Sequence, residues 1–165
     1  MADIIEKLGF LSGGSRFRRV YEKLQISGDT IYKNSDLGFK SSWFPVYYVL
    51  SRAGEPQTIM EITDQIAFSH ITVKNIVKEL EKEGLAQIKT NPDDKRSKLV
   101  SLTKAGRKLL DKLNPVWEQI STALRDVLTT GHPEIIAILE RIDAELEKKP
   151  LHERVIIKKQ SRYGK

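Results

Sequence analysis

Apolar residues recur at three- and four-residue spacing through most of this chain, which predicts a largely helical ground plan. Ile59, Ile62 and Ile66 form one short stripe, and Val73, Ile76, Val77 and Leu80 form a second at i, i+3, i+4 and i+7. Thr58-Ile59-Met60-Glu61 has the pattern of a capping box at the head of the first stripe, and Ser69 is placed to cap the second. Two short helices joined by a tight turn at Ala67-Phe68 follow from this spacing. The period then changes. Gly84 is placed to end the second helix. Residues 85–90 and 97–102 carry alternating positions, with Ala86 and Ile88 on one run and Lys98, Val100 and Leu102 on the other. Between them lies Asn91-Pro92-Asp93-Asp94-Lys95-Arg96, a set of turn formers that predicts a two-stranded wing with cations near its tip.

The flanks read as scaffold. Residues 4–25 are expected to be one helix, with Ile4, Leu8 and Leu11 and then Phe17, Val20, Tyr21 and Leu24 on its apolar stripe. Gly13-Gly14 interrupts it, as a kink or close helix crossing, or as a close backbone approach to a ligand or partner. Residues 26–41, with Gly28, Asn34 and Gly38 as breakers, are expected to be a connecting loop. Ser42 is placed to cap the next helix, in which Pro45 falls in the first turn and Trp43, Val46, Tyr47 and Leu50 share a face. Beyond the wing, Thr103 is placed to cap a long helix whose apolar positions run from Ala105 through Leu113, Trp117 and Ile120 to Leu128, with Pro115 expected to kink it. A break at Gly131-His132-Pro133 precedes a final stripe of Ile135, Ile138, Leu139, Ile142 and Leu146. These two stripes are wider than a small winged module can cover. A partner helix is expected, most simply from a second copy of the chain. Residues 150–165 form a basic tail that either extends the bundle or is disordered.

Composition narrows the function. The chain has 165 residues, 39% of them hydrophobic, which suits one domain with a core. The absence of cysteine excludes disulfides, zinc–thiolate sites and thiol-based sensing. A formal net charge of +6 favours a polyanionic partner. No apolar run approaches the roughly 18 residues of a membrane span, and the N-terminus has no basic segment leading into a long apolar core. A cytoplasmic protein with no membrane partner is expected. His70, His132 and His152 lack metal-ligand spacing, and no nucleophile elbow appears. Neither an enzyme nor a metal or organic cofactor is therefore expected.

The candidate chemistry is recognition of DNA. Opposite the buried stripe of the second helix stand His70, Thr72, Lys74, Asn75 and Lys78, which donate to base edges or phosphates, with Ser69 at the helix start. His70 reads either as groove-facing or as an ordinary surface histidine beside the cap. Lys95, Arg96 and Lys98 belong to the wing, where a guanidinium is attracted by the negative potential of a minor groove.

The order helix-turn-helix, then Glu79-Leu80-Glu81-Lys82-Glu83-Gly84-Leu85, then Asp94-Lys95-Arg96, then Leu102-Thr103-Lys104-Ala105-Gly106 resembles the MarR family of bacterial transcription regulators. The resemblance covers nearly the whole chain. It implies a mainly α fold with a small β-hairpin wing: a winged helix-turn-helix over about 42–103 and dimerisation helices over about 3–25 and 104–149, in a single domain spanning 1–149. It implies a homodimer on a pseudo-palindromic operator in double-stranded DNA, with Arg96 in the minor groove and Asp94 helping to hold it. It also implies control by a small aromatic or apolar effector, for which Arg16, Trp43, Phe44 and Tyr47 are the candidate pocket; the bland alternative is that these aromatics are core. Two positions depart from the pattern: Ala67 where many relatives have Gly, and Ile71 where many have Pro. The first helix and Trp43-Phe44-Pro45-Val46 also resemble MarR modules fused to a GNAT-type acetyltransferase, a domain this chain does not contain. The rival reading is a winged helix used for protein contact or as an accessory module, for which Glu79 and Glu81 on the recognition helix are a mild signal.

Overall fold

The computed structural model describes residues 3–155. Its helices are α1 (Ile4–Lys7), α2 (Gly13–Asn34), α3 (Phe44–Arg52), α4 (Ile59–Ile66), α5 (His70–Lys82), α6 (Lys104–Gly131), α7 (Ile135–Lys148) and α8 (Leu151–Arg154). Its strands are β1 (Gln57–Thr58), β2 (Ala86–Thr90) and β3 (Lys98–Leu102). Short 3-10 turns, Gly9–Ser12 and Ser41–Trp43, lead into α2 and α3. The contacts divide the chain into two units, one ending at Glu118 and the other beginning at Gln119.

The N-terminal segment differs from the single helix expected over 4–25. Its break comes at Gly9, whose φ of +52° is a left-handed conformation that glycine adopts at little cost. Gly13 and Gly14 instead open α2. The reversal is held by Ser12, which is buried. Its hydroxyl donates to the carbonyls of Ile5 and Gly9, both at 2.8 Å, and accepts from Arg16 Nε at 3.0 Å. The Arg16 guanidinium also donates to the carbonyls of Ile5 and Glu6.

The loop expected at 26–41 is also corrected, because α2 runs on to Asn34. Gly28 sits inside this helix, at a cost of about 1 kcal/mol in helix propensity. A Cβ there would collide with the Ser41 hydroxyl. Gly28 thus serves as the close-approach point between α2 and the turn that starts α3, where Asp29 accepts a hydrogen bond from the Ser41 backbone N–H at 2.7 Å.

The first unit has one core. Trp43 of the turn before α3 and Val46, Tyr47 and Leu50 of α3 form this core with Ile62 of α4, all four stripe residues of α5, and Ala86, Val100, Leu102 and Leu113, all buried. Phe39 packs edge-on against Tyr32, Trp43 and Tyr47 at centroid distances of 5.0–5.6 Å. The capping box forms as expected: Thr58 Oγ1 accepts from the Glu61 N–H at 3.1 Å, and the Glu61 carboxylate accepts from the Thr58 N–H at 2.7 Å.

The turn between α4 and α5 requires a left-handed residue, and Ala67 supplies it with φ +53°. A Cβ in that region costs about 1–2 kcal/mol, partly offset by the chain entropy that glycine would lose on folding. Ala67→Gly is expected to stabilise the protein by about 0.5–1 kcal/mol, read as a higher urea midpoint at unchanged slope.

The wing is larger than the expected two strands. The sheet is three-stranded and antiparallel, in the order β1-β3-β2, with Gln57 opposite Val100 and Ala86 opposite Leu102. Strand β1 is only two residues long and overlaps the capping box of α4, so no alternation could announce it. From Thr103, α6 runs as one helical segment to Gly131 with Pro115 inside it. Thr103 Oγ1 accepts from the Gly106 N–H at 3.0 Å and donates to the Gly84 carbonyl at 2.7 Å, stitching the start of α6 to the end of the recognition helix.

In the second unit, Val127, Ile136, Leu139, Ile142 and Leu146 are exposed, and α7 buries no residue. In the first unit, Phe10, Leu11, Phe17, Val20 and Tyr21 are likewise exposed. Of the tail, residues 151–154 form α8, and 156–165 lie outside the described residues, so the expectation about their order is not addressed by the fold.

Candidate nucleic-acid interface

Helix α5 is amphipathic by sequence and is seated accordingly. Val73, Ile76, Val77 and Leu80 are buried, which turns the opposite side outward by the 3.6-residue period. Ser69, His70, Ile71, Thr72, Lys74, Asn75 and Lys78 are all exposed. Ile71, Asn75, Lys78 and Lys82, at i, i+4, i+7 and i+11, mark the centre of that outer face. His70 and Lys74 flank it.

The helix start is built by hydroxyls. Ser69 Oγ accepts from the Thr72 N–H at 3.1 Å, and the two hydroxyls lie 2.8 Å apart. Thr72 is therefore partly committed to the cap. Leu85 and Ala86 follow a left-handed Gly84 with φ +70°, and the Leu85 N–H donates back to the Leu80 carbonyl at 2.9 Å, as in a glycine-terminated helix.

Glu79, on the same helix, is turned aside. Its Oε2 accepts from Lys40 Nζ and from Trp43 Nε1, each at 2.8 Å. The Lys40 ammonium first, and the indole N–H second, hold its carboxyl below the ordinary glutamate range. The acid that the sequence offered as a counter-signal thus anchors α5 to the turn preceding α3. Its partners are 36 and 39 residues away, and no local pattern could have paired them.

The wing tip is a network of short-range hydrogen bonds. Asn91 Oδ1 accepts from the Asp93 N–H at 3.0 Å, and Asn91 Nδ2 donates to Ser97 Oγ at 2.9 Å. Asp94 Oδ1 accepts from the Arg96 backbone N–H at 3.0 Å, and the Ser97 N–H donates to the Asp94 carbonyl at 2.9 Å. Asp94 therefore shapes the peptide that carries Arg96, and its observed hold is on the main chain. Lys95 and Arg96 are exposed. Lys98 Nζ donates to Thr90 Oγ1 at 2.9 Å, across the strand pair in which those two residues are opposite.

The four candidate pocket residues have separate surroundings. Trp43 is 2% exposed and Tyr47 is fully buried, both inside the aromatic core. The Tyr47 hydroxyl donates to the Gly106 carbonyl, and burial pushes the phenol up to about 12. Arg16 makes the N-terminal hydrogen bonds described above. Of the three aromatics, Phe44 is the exposed one, packing against Tyr48 and edge-on to Trp117 at 5.1 Å. Trp117 in turn donates its indole N–H to the Tyr32 hydroxyl at 3.1 Å. Among the described residues, no three His, Asp or Glu side chains are grouped to hold a metal ion, and no helix is long and apolar enough to cross a membrane.

A family model described as a winged helix DNA-binding domain matches residues 46–106, the stretch that contains α5 and the wing. The HTH-type transcriptional repressor NicR of Pseudomonas putida is 34% identical over 84 residues, 51% of this chain and 52% of its own length. The chain thus spans about half of that relative. The crystal structure of a MarR variant of E. coli complexed with operator DNA superposes with a TM-score of 0.65 at 21% identity, covering 88% of this chain and 99% of that one. The structure of BpsR from Bordetella bronchiseptica, a protein whose DNA binding is regulated by 6-hydroxynicotinic acid, gives a TM-score of 0.60 at 25% identity, covering 79% and 97%. These relatives are regulators rather than enzymes, and nothing in them bears on the acetyltransferase resemblance. Residues 46–106 thus match a winged helix DNA-binding domain in sequence, and the fold is the one seen in the MarR structure bound to operator DNA.

Proposed function

We propose that the chain acts as a homodimer that binds a pseudo-palindromic site in double-stranded DNA. The observation that carries this reading is the placement of two cationic features on one small module: the outer face of α5 and the tip of the β2–β3 wing. In this reading α5 enters the major groove with His70, Thr72, Lys74, Asn75 and Lys78 toward bases and backbone, and Ser69 at its leading end. Arg96 enters the neighbouring minor groove on a turn shaped by Asp94, with Lys95 and Lys98 beside phosphates. Exposed apolar side chains on both units supply the surface that a second copy covers. Both units then belong to one MarR-like domain over residues 1–149. Two-fold symmetry sets half-sites about 10 bp apart.

A small aromatic effector is the proposed signal, by analogy with 6-hydroxynicotinic acid and BpsR. Of Arg16, Trp43, Phe44 and Tyr47, Phe44 offers the accessible aromatic edge in the described conformation. Trp43 and Tyr47 would take part only through a rearrangement of the core. The protein is proposed to act in the cytoplasm as a repressor, the role in NicR's name.

Selection from a random duplex pool by the purified protein tests this reading. An inverted repeat is expected. Salt-sensitive binding with no recovered motif would overturn it in favour of a protein-contact module. On the recovered site, Lys78→Ala and Lys98→Ala are each expected to reduce the slope of log affinity against log salt by about one, the release of one phosphate counterion. An unchanged slope would return that lysine to the solvated surface.

A further inference from the structure

Ile71 is the least expected residue on the outer face of α5. It is a β-branched hydrocarbon, 72% exposed, in the first turn of the helix. It lies at the centre of the face opposite the buried stripe, in line with Asn75, Lys78 and Lys82. Lys74 is three residues on, and the chain as a whole carries a net charge of +6. Apolar side chains in such a setting are uncommon because they leave hydrocarbon in water beside groups suited to a polyanion. Exposure of Ile71 does not follow from helix formation either: β-branching lowers helix propensity, so a solvated surface position favours other residues. The polar neighbours of Ile71 recognise donors, acceptors and phosphates. The one feature of a major groove that only hydrocarbon recognises is the 5-methyl group of thymine. In helix-turn-helix docking, the residues that reach base edges are those at the N-terminal end of the second helix, where Ile71 stands. The neighbouring Thr72, whose methyl group would be the alternative, has its hydroxyl drawn to Ser69 and lies toward the side of the face.

We propose that Ile71 is a specificity-determining residue that packs its side chain against a thymine methyl group in each half-site. The proposal rests on the DNA-binding reading above and names the base that one residue of that interface selects. It predicts that the site tolerates cytosine poorly at the corresponding position, because cytosine presents a donor and no methyl group there.

The test uses the full chain and the duplex recovered by selection. Each thymine is replaced in turn by deoxyuridine, which removes the methyl group and leaves base pairing intact. For the wild-type protein, one thymine position in the half-site is expected to lose about fourfold in affinity on replacement, the weight of one buried methyl group. Ile71→Ala is expected to bind the thymine duplex more weakly and to bind the two duplexes equally, so that the double-mutant cycle assigns the loss to this contact. Ile71→Val, which keeps a branched side chain, is expected to retain part of the discrimination. Alanine is the stronger helix former, so circular dichroism of Ile71→Ala should be unchanged, and reduced binding cannot be charged to unfolding. Deoxyuridine replacements that leave wild-type affinity unchanged at every position, or that weaken wild type and Ile71→Ala alike, would overturn the assignment while leaving DNA recognition standing. A selection that recovers no motif would overturn both.

Discussion

Arg96→Ala is expected to weaken binding to the specific site by about 1–3 kcal/mol, the range for one good groove contact, while leaving thermal stability unchanged. The two halves of this expectation have separate grounds. The exposed guanidinium stands beside Lys95 at the wing tip, and a narrow minor groove presents a negative potential that attracts such a group. Among the described residues, by contrast, the fold holds Arg96 through its backbone N–H, which donates to Asp94 Oδ1 at 3.0 Å. That hydrogen bond survives truncation to alanine. A titration of the variant against the selected duplex, beside a melting curve, separates the two effects. Undiminished affinity would remove the wing tip from the interface. A fall in the melting temperature matching the loss of affinity would move Arg96 from recognition to structure.

The largest loss of stability is expected from Gly106→Ala, roughly 3 kcal/mol, toward the upper end for overpacking. In most helices this substitution is favourable by up to about 1 kcal/mol. Here the added Cβ would run into the Leu85 carbonyl oxygen and crowd the Leu102 side chain. Neither neighbour can readily withdraw. The Leu85 carbonyl accepts from the Thr103 N–H at 3.0 Å, and Thr103 Oγ1 ties the same corner to Gly84. On its other side, the Gly106 carbonyl accepts from the buried Tyr47 hydroxyl. The start of α6 is therefore held against the end of the recognition helix and against α3, and relief must break one of these contacts. Gly14→Ala is the matched control, because a Cβ there meets no neighbour and the residue is already helical. Equal urea midpoints for the two variants would show that the α6 start has room to shift. Because this corner also positions the wing, Gly106→Ala is expected to lose DNA affinity beyond what its unfolded fraction explains.

The helix-turn-helix and wing were legible from local signals. The stripe on α5, the Thr58 capping box, the Ser69 cap and the left-handed Gly84 are all properties of neighbouring residues, set by the helical period and by termini that need hydrogen-bond partners. The same locality explains the failures. Gly28 looked like a helix breaker because its benefit, clearance of Ser41, comes from a residue outside its own helix. Gly9, rather than the more conspicuous Gly13-Gly14 pair, breaks the N-terminal segment because the hydroxyl of Ser12 and the guanidinium of Arg16 fold back onto carbonyls there.

What the chain determined by itself was therefore the helix-turn-helix, the two longer strands of the wing, the polarity of each of their faces and the surplus of basic groups. The helical period and the alternation of strands convert composition directly into faces. What only the tertiary structure decided was how those faces are used. It placed Glu79 on Lys40 and Trp43 rather than on the outer face, and set Trp43 and Tyr47 in the core. It paired β1 with β3 and left Ile71 exposed at the leading end of the recognition helix. Each depends on which side chains meet across tens of residues. Their energy comes from excluding water and satisfying buried polar groups, and it is not encoded in the spacing of any one segment.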